Sequence, residues 1–159
     1  MPRNSNSRSA SSAIRVLCVD DNHFVADALR RHLTPDRGFE WVGWLDSSFG
    51  LAEEIGRCGP DVVVLDVDMA GPDLFEATDS LARRFPATHV VMLSGFVGRE
   101  MIDRAIDAGA WGFVSKNDDA ESIIDAVRGA ASGSFVLRGE AQRRYARDER
   151  DHTIARAKE

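Results

Sequence analysis

The run Val62-Val63-Val64-Leu65 limits the architecture more than any other stretch of this chain. It is rich in β-branched residues and shows no polar alternation, so as a strand it would be apolar on both faces. Such a strand needs a layer of cover on each side, as in a parallel sheet lying between helices. The run ends in a carboxylate, Asp66, and Gly71-Pro72 then turns the chain toward a helix. An open α/β sheet presents its chemistry at the carboxyl edge of the strands, where Asp66 would stand. An aspartate after a strand also serves simply to cap a helix or close a turn. The remainder of the chain decides between these readings.

The same alternation recurs from one end of the chain to the other. Ile14 to Val19 reads as a first strand, broken by Asp20-Asp21-Asn22. Phe24, Val25, Ala28, Leu29 and Leu33 then have the spacing of one helical face, stopped by Thr34-Pro35 and Gly38. Residues 39–45, with Trp41 and Trp44, suit a second strand, and Ser47 is placed to cap a helix that buries Leu51, Ala52 and Ile55. After the Asp66 strand come a helix over 74–85, a strand over 88–93 ending at Ser94-Gly95, a helix over 99–108, and a short strand over 111–115. Asp118 or Asp119 opens a last helix reaching about residue 131. Repeated strand–helix units imply parallel strands, right-handed crossovers and helices on both faces of a doubly wound sheet.

With 159 residues, 43% of them hydrophobic, the chain suits one domain with tails. The expected division is a disordered Ser- and Asn-rich segment over 1–13, a domain over 14–133, and a linker or helical tail over 134–159. A formal net charge of −6 argues against unspecific attraction to nucleic acid or anionic membrane. No apolar run approaches the roughly 18 to 20 residues that span a bilayer, and the N-terminal segment lacks the apolar core of a secretory signal. Cys18 in an apolar run and Cys58 in a polar loop do not resemble a disulfide framework, which fits a reducing cytoplasm.

The repeat places Asp20, Asp21, Asp66, Ser94 and Lys116 at carboxyl ends of strands, which converge on one edge of such a sheet. At about 4 Å each like-charge carboxylate pair costs roughly 1 to 4 kcal/mol, so the cluster shifts its pKa values or holds a cation. Oxygen donors without His or Cys point to a hard ion, and Mg²⁺ takes one or two carboxylates together with a phosphate oxygen. That combination suits phosphoryl transfer, with a carboxylate as nucleophile and a lysine and a hydroxyl holding the remaining oxygens.

Val19-Asp20-Asp21, Val64-Leu65-Asp66-Val67-Asp68-Met69, Leu93-Ser94-Gly95 and Val114-Ser115-Lys116 resemble, in order and spacing, the motifs of the receiver domain of two-component response regulators. The resemblance covers about residues 14–133 and implies a five-stranded CheY-like fold with the flavodoxin-like strand order 2-1-3-4-5. By motif, Asp66 resembles the phosphoacceptor, Asp21 the direct metal ligand and Asp20 the second acid, while Asp68 stands where the family offers a backbone carbonyl to Mg²⁺. Ser94 resembles the switch hydroxyl, Lys116 the lysine that bonds the acyl phosphate, and Phe113 the aromatic that reorients with it. The resemblance further implies a histidine kinase or phosphotransfer protein as phosphoryl donor. It also implies a docking face for a partner or a second copy, built from helix 4, strand 5 and helix 5. The chain departs from the family in having Ala70 where Pro is common, Leu74 where Gly is common, and Asn117 rather than Pro after Lys116.

Two other classes fit parts of the pattern. Asp66-Val67-Asp68 is similar to the nucleophile pair of haloacid-dehalogenase-like phosphatases, although that family carries the pair on its first strand. A receiver-like module that binds partners without phosphorylation would retain the same residues. His23 reads as a solvated or capping residue at a helix start, Met69 and Met92 as core filler, and Cys18 as a small buried hydrophobe. Trp111 suits either packing or partner contact. Receivers ending like Ser132-Gly133-Ser134-Phe135-Val136-Leu137 often lead into a helix-turn-helix domain, but residues 138–159 suffice only for one helix, so this segment by itself is not expected to bind DNA. Its arginines, Arg143, Arg144, Arg147 and Arg150, alternate with acids as on a solvated helix.

Overall fold

A computed structural model describes residues 12–158, apart from the side chains of 152–154; the tail expected over 1–13 lies largely outside the described residues. Six strands alternate with helices: β1 (Ile14–Val19), α1 (His23–His32), β2 (Phe39–Leu45), α2 (Leu51–Cys58), β3 (Val62–Asp66), α3 (Leu74–Arg84), β4 (His89–Ser94), α4 (Arg99–Asp107), β5 (Gly112–Ser115), α5 (Ala120–Ala131), β6 (Val136–Leu137) and α6 (Gly139–Ala157). All pairings are parallel and the order across the sheet is β2-β1-β3-β4-β5-β6. The expected CheY-like order 2-1-3-4-5 is present within it.

The unalternated β3 run is fully enclosed, and its neighbours divide their side chains between two cores. Val16, Cys18, Val62, Val64, Val91, Leu93 and Val114 pack with Leu29 of α1 and Ile124 and Val127 of α5. Leu17, Val19, Val63, Leu65, Val90, Met92 and Phe113 face α2, α3 and α4 through Leu51, Ile55, Leu74, Leu81 and Ile102. The period of two along each strand thus feeds helices on both sides. Cys18 is buried in the first core, where desolvation and the charges of Asp20 and Asp66 push its thiol up to about 12, so it is an inert hydrophobe. Among the described residues no helix is long and apolar enough to cross a membrane.

Two expectations about the first helices need correction. The buried stripe of α1 is Ala26, Leu29 and Leu33 with Val25 partly covered, while Phe24 (72% exposed) and Ala28 face outward. Phe24 lies one position off the stripe and rests beside the His23 ring, with centroids 4.1 Å apart. Ser47 does not cap α2; it accepts a 3.3 Å hydrogen bond from Phe49 N–H, and the cap is Gly50, whose φ of 74° is a left-handed conformation that glycine adopts without strain.

To the expected five strands β6 adds a minor sixth on the edge of β5, pairing Val136 with Gly112 and Leu137 with Phe113. Two residues are too few to display a strand period. Gly129, within α5, accommodates this strand, because a Cβ there would lie 2.1 Å from Val136 Cγ2. A glycine inside a helix destabilises it by about 0.5–1 kcal/mol relative to alanine, and here the close approach of β6 accounts for it.

The face of α4, β5 and α5 is covered in part. β6 occupies the edge of β5, and α6 lies across α4: Ala141 is fully buried, Tyr145 donates to Asp103 Oδ1 at 3.0 Å, and Arg99 pairs with Glu149 at 2.8 Å. The tail expected to be solvated is therefore docked along one side. Trp111, at the opposite end of β5 from Lys116, packs within the chain, its ring stacked on His89 at 4.3 Å.

Candidate functional site

The carboxyl ends of β1, β3, β4 and β5 deliver five of the candidate residues to one edge. Asp20 follows β1, Asp66 ends β3, Ser94 ends β4, and Lys116 follows β5, held by a hydrogen bond from its N–H to Ser94 O at 2.9 Å. Asp21 joins them on the loop into α1. Oxygen atoms of Asp20, Asp21 and Asp66 lie within 4.8 Å of one another, Asp20 and Asp66 buried and Asp21 exposed.

Each oxygen in this cluster has a distinct environment. Asp66 Oδ2 receives Lys116 Nζ at 2.8 Å, and Asp66 Oδ1 accepts the Asp68 N–H at 2.8 Å. Asp20 Oδ1 accepts the Asn22 N–H at 2.9 Å, so the residue that caps α1 also orients the acid before it. Asp20 Oδ2 is buried without a hydrogen-bond partner, and its nearest cation, Lys116 Nζ, is 3.8 Å away. Burial raises the Asp20 carboxyl to about 6; the charge of Asp66 adds to the rise, while the Asn22 hydrogen bond and Lys116 oppose it. For Lys116, burial pulls the pKa down, but the hydrogen bond to Asp66 and the charges of Asp20, Asp66 and Asp68 outweigh it and the net direction is upward. The lysine thus remains an ammonium.

Three carboxylates, no nitrogen or sulfur donor, and one buried oxygen lacking a partner are a donor set that suits a hard divalent cation.

Two of the sequence-selected residues stand differently from what was expected of them. The Asp68 side chain, for which only a backbone role was foreseen, accepts the Ser94 hydroxyl at 2.7 Å and the Gly95 N–H at 2.6 Å. Phe113 has no exposed surface, so the inward position expected of the reoriented aromatic is the one it occupies here. Residues that had not been singled out also shape the site. Trp44 Nε1 donates to Asp20 O at 2.8 Å, tying β2 to the acid loop. Ser115, buried beside Lys116, donates to Glu140 Oε2 at 2.7 Å, and Asp118 accepts the Glu140 N–H at 3.2 Å. The Ser115-Lys116-Asn117-Asp118 run carried the signal for a loop, but nothing in it named a partner some twenty residues on.

Comparison with known proteins agrees with this arrangement. Residues 16–128 match the response regulator receiver domain. The chain is 32% identical over 128 residues to the response regulator protein VraR of Staphylococcus epidermidis, and 32% identical over 127 residues to VraR of Staphylococcus aureus. Each match covers 80% of this chain and 61% of the relative, so the chain spans about three-fifths of the length of those proteins. A two-component response regulator of the LuxR family from Aurantimonas sp. SI85-9A1 shares the fold, with a TM-score of 0.79 at 24% identity over 87% of this chain and 99% of that one. The signal receiver domain of the putative response regulator NarL from Mycobacterium tuberculosis aligns with a TM-score of 0.70 at 28% identity, over 77% of this chain and 98% of that one. The edge of acids, serine and lysine, the doubly wound sheet and these matches agree: the chain belongs to the receiver-domain family of two-component response regulators.

Proposed function

We propose that this receiver accepts a phosphoryl group on Asp66 from a phosphohistidine of a histidine kinase or phosphotransfer protein, and that the modification alters a protein-binding surface. The observation that carries this reading is the buried Asp66 carboxylate held between Lys116 Nζ at 2.8 Å and the Asp68 N–H at 2.8 Å, beside two further acids. These contacts fix the nucleophile's orientation before a donor arrives. In the transfer an Asp66 oxygen forms the new O–P bond as the N–P bond of the phosphohistidine breaks, the imidazole keeping the electron pair. Lys116 then bonds a phosphoryl oxygen instead of the carboxylate, and Ser94 lies at the same edge to donate to another.

Asp20, Asp21 and Asp66, with the Asp68 backbone carbonyl, would hold Mg²⁺, which when bound neutralises negative charge on the transferring group. The partnerless Asp20 oxygen supports this assignment.

Docking of a partner or a second copy on the face of α4, β5 and α5 requires β6 and α6 to leave it. The hydrogen bonds of Glu140 to Ser115 and Asp118, on either side of Lys116, supply a route from the phosphoryl pocket to that segment.

The test is incubation with acetyl phosphate, with Mg²⁺ or with a chelator, followed by intact-mass measurement of wild type and Asp66→Asn. One phosphoryl group on the wild type alone, and only with Mg²⁺, is expected. A phosphorylation-independent module would show none, and a haloacid-dehalogenase-like phosphatase would turn over a phosphomonoester.

A further inference from the structure

Ser94 and Gly95 present two converging hydrogen-bond donors at the end of β4, and both are already engaged. The Ser94 hydroxyl reaches Asp68 Oδ1 at 2.7 Å and the Gly95 N–H reaches Asp68 Oδ2 at 2.6 Å. The two oxygens of one carboxylate thus span the pair as two oxygens of a tetrahedral anion would. Ser94 is fully buried, and its hydroxyl also stands 2.9 Å from Phe96 O, so it keeps an acceptor when Asp68, which is exposed, swings toward water. Phe113 is wholly enclosed at the same time.

We infer that the Asp68 side chain acts as an internal stand-in for the phosphoryl group, occupying the Ser94 and Gly95 donors and setting how tightly an anion on Asp66 is held. This inference rests on the phosphoacceptor reading of Asp66 and adds a positioning residue to it. An anion on Asp66 has to displace Asp68 from both donors, so part of the anion's binding energy is spent on breaking existing charge-assisted hydrogen bonds. The negative charge of Asp68 opposes the incoming anion as well, and it is felt at the pocket, where it helps hold Lys116 protonated. Asp68 therefore keeps the switch hydroxyl drawn in before phosphorylation and weakens the hold on the phosphoryl group after it.

Beryllofluoride with Mg²⁺ serves as the probe, its affinity measured for wild type, Asp68→Asn and Asp68→Ala, each with Ser94 and with Ser94→Ala. Asp68→Ala should bind about tenfold more tightly than wild type, the factor to which about 1.4 kcal/mol corresponds. Asp68→Asn, which keeps one acceptor oxygen but no charge, should fall between them. With Ser94→Ala the gain should shrink, because one of the two contested donors is gone. In protein without the probe, the Gly95 amide resonance should move and its hydrogen exchange quicken in Asp68→Ala. Unchanged or weaker beryllofluoride affinity in Asp68→Ala, with the wild type binding normally, overturns the competition alone. Failure of the wild type to bind the probe overturns the phosphoacceptor reading together with it.

Discussion

Ser115 Oγ donates a 2.7 Å hydrogen bond to Glu140 Oε2, linking the residue before Lys116 to the second residue of α6. Arg138, the residue at the helix cap, makes no side-chain capping bond, and Asp118 fulfils that role from the β5–α5 loop by accepting the Glu140 N–H. The start of α6 is therefore fastened to the loop that positions the lysine.

Replacing Glu140 by alanine should loosen α6 without affecting chemistry at Asp66. A hydrogen bond to a charged group contributes about 1.5–3 kcal/mol, so amide exchange over residues 141–151 should quicken by about tenfold or more. Exchange measured by mass spectrometry checks this, with phosphoryl labelling of Asp66 expected to stay at the wild-type level. Exchange that is unchanged would mean that the Tyr145–Asp103 and Arg99–Glu149 contacts hold α6 unaided.

Gly129→Ala introduces a methyl group 2.1 Å from Val136 Cγ2. Overpacking of this kind costs about 1–3 kcal/mol, more than the gain of about 1 kcal/mol in helix propensity. The urea midpoint should fall, and adding Val136→Ala should recover most of the loss. A single mutant as stable as the wild type would show that β6 yields without cost.

The pH dependence of the metal-free protein should carry the signature of Asp20. Burial raises its carboxyl in the folded state to about 6, against an ordinary value of 3.8, so the folded chain binds this proton more tightly than the unfolded one. The resulting stabilisation is complete below the unfolded value and is lost as pH rises through about 6. In a chelator, thermal melts of wild type and Asp20→Asn should diverge between pH 4 and 7, the wild type losing ground as pH rises. Mg²⁺ at pH 7 should restore the wild type but not the variant. Parallel curves would contradict the assignment of Asp20 as the strained member of the cluster.

Lys116→Ala should leave Mg²⁺ binding largely in place and abolish the conformational response to phosphorylation, because in the proposed transfer the ammonium, now 2.8 Å from Asp66 Oδ2, passes to the phosphoryl oxygens. Amide chemical shifts recorded with and without beryllofluoride report this. A wild-type pattern of shifts in the variant would assign the coupling to Ser94 instead.

The strands that carry the site were legible because their physics is local. Val62–Asp66 is apolar without alternation because both of its faces are covered, and residues 39–45 form the second strand as read. The fold order and the convergence of Asp20, Asp66, Ser94 and Lys116 follow from that repetition. What escaped was set by contacts distant in sequence. Asp68 meets Ser94 across 26 residues, and Ser115 meets Glu140 across 25, so neither pairing leaves a spacing signal. In α1, Phe24 imitated a core position and Ala26 did not stand out, because hydrophobicity alone does not fix the phase of a ten-residue helix. α6 carries almost no amphipathic stripe and docks through a few residues, Ala141, Tyr145 and Glu149. Gly129 was the one local sign of β6, a glycine in a helix interior where another chain segment comes close.

The central claim is tested most directly by locating the modified residue. After reaction with acetyl phosphate and Mg²⁺, borohydride converts an acyl phosphate to a stable alcohol that fragmentation of the 58–83 tryptic peptide assigns to one residue. That peptide contains Asp61, Asp66, Asp68, Asp73 and Asp79, so the choice among carboxylates is made within a single molecule. The geometry predicts conversion at Asp66 alone, lost on chelation. Conversion at Asp68, at Asp20 in another peptide, or at Asp66 without dependence on Mg²⁺ would contradict it.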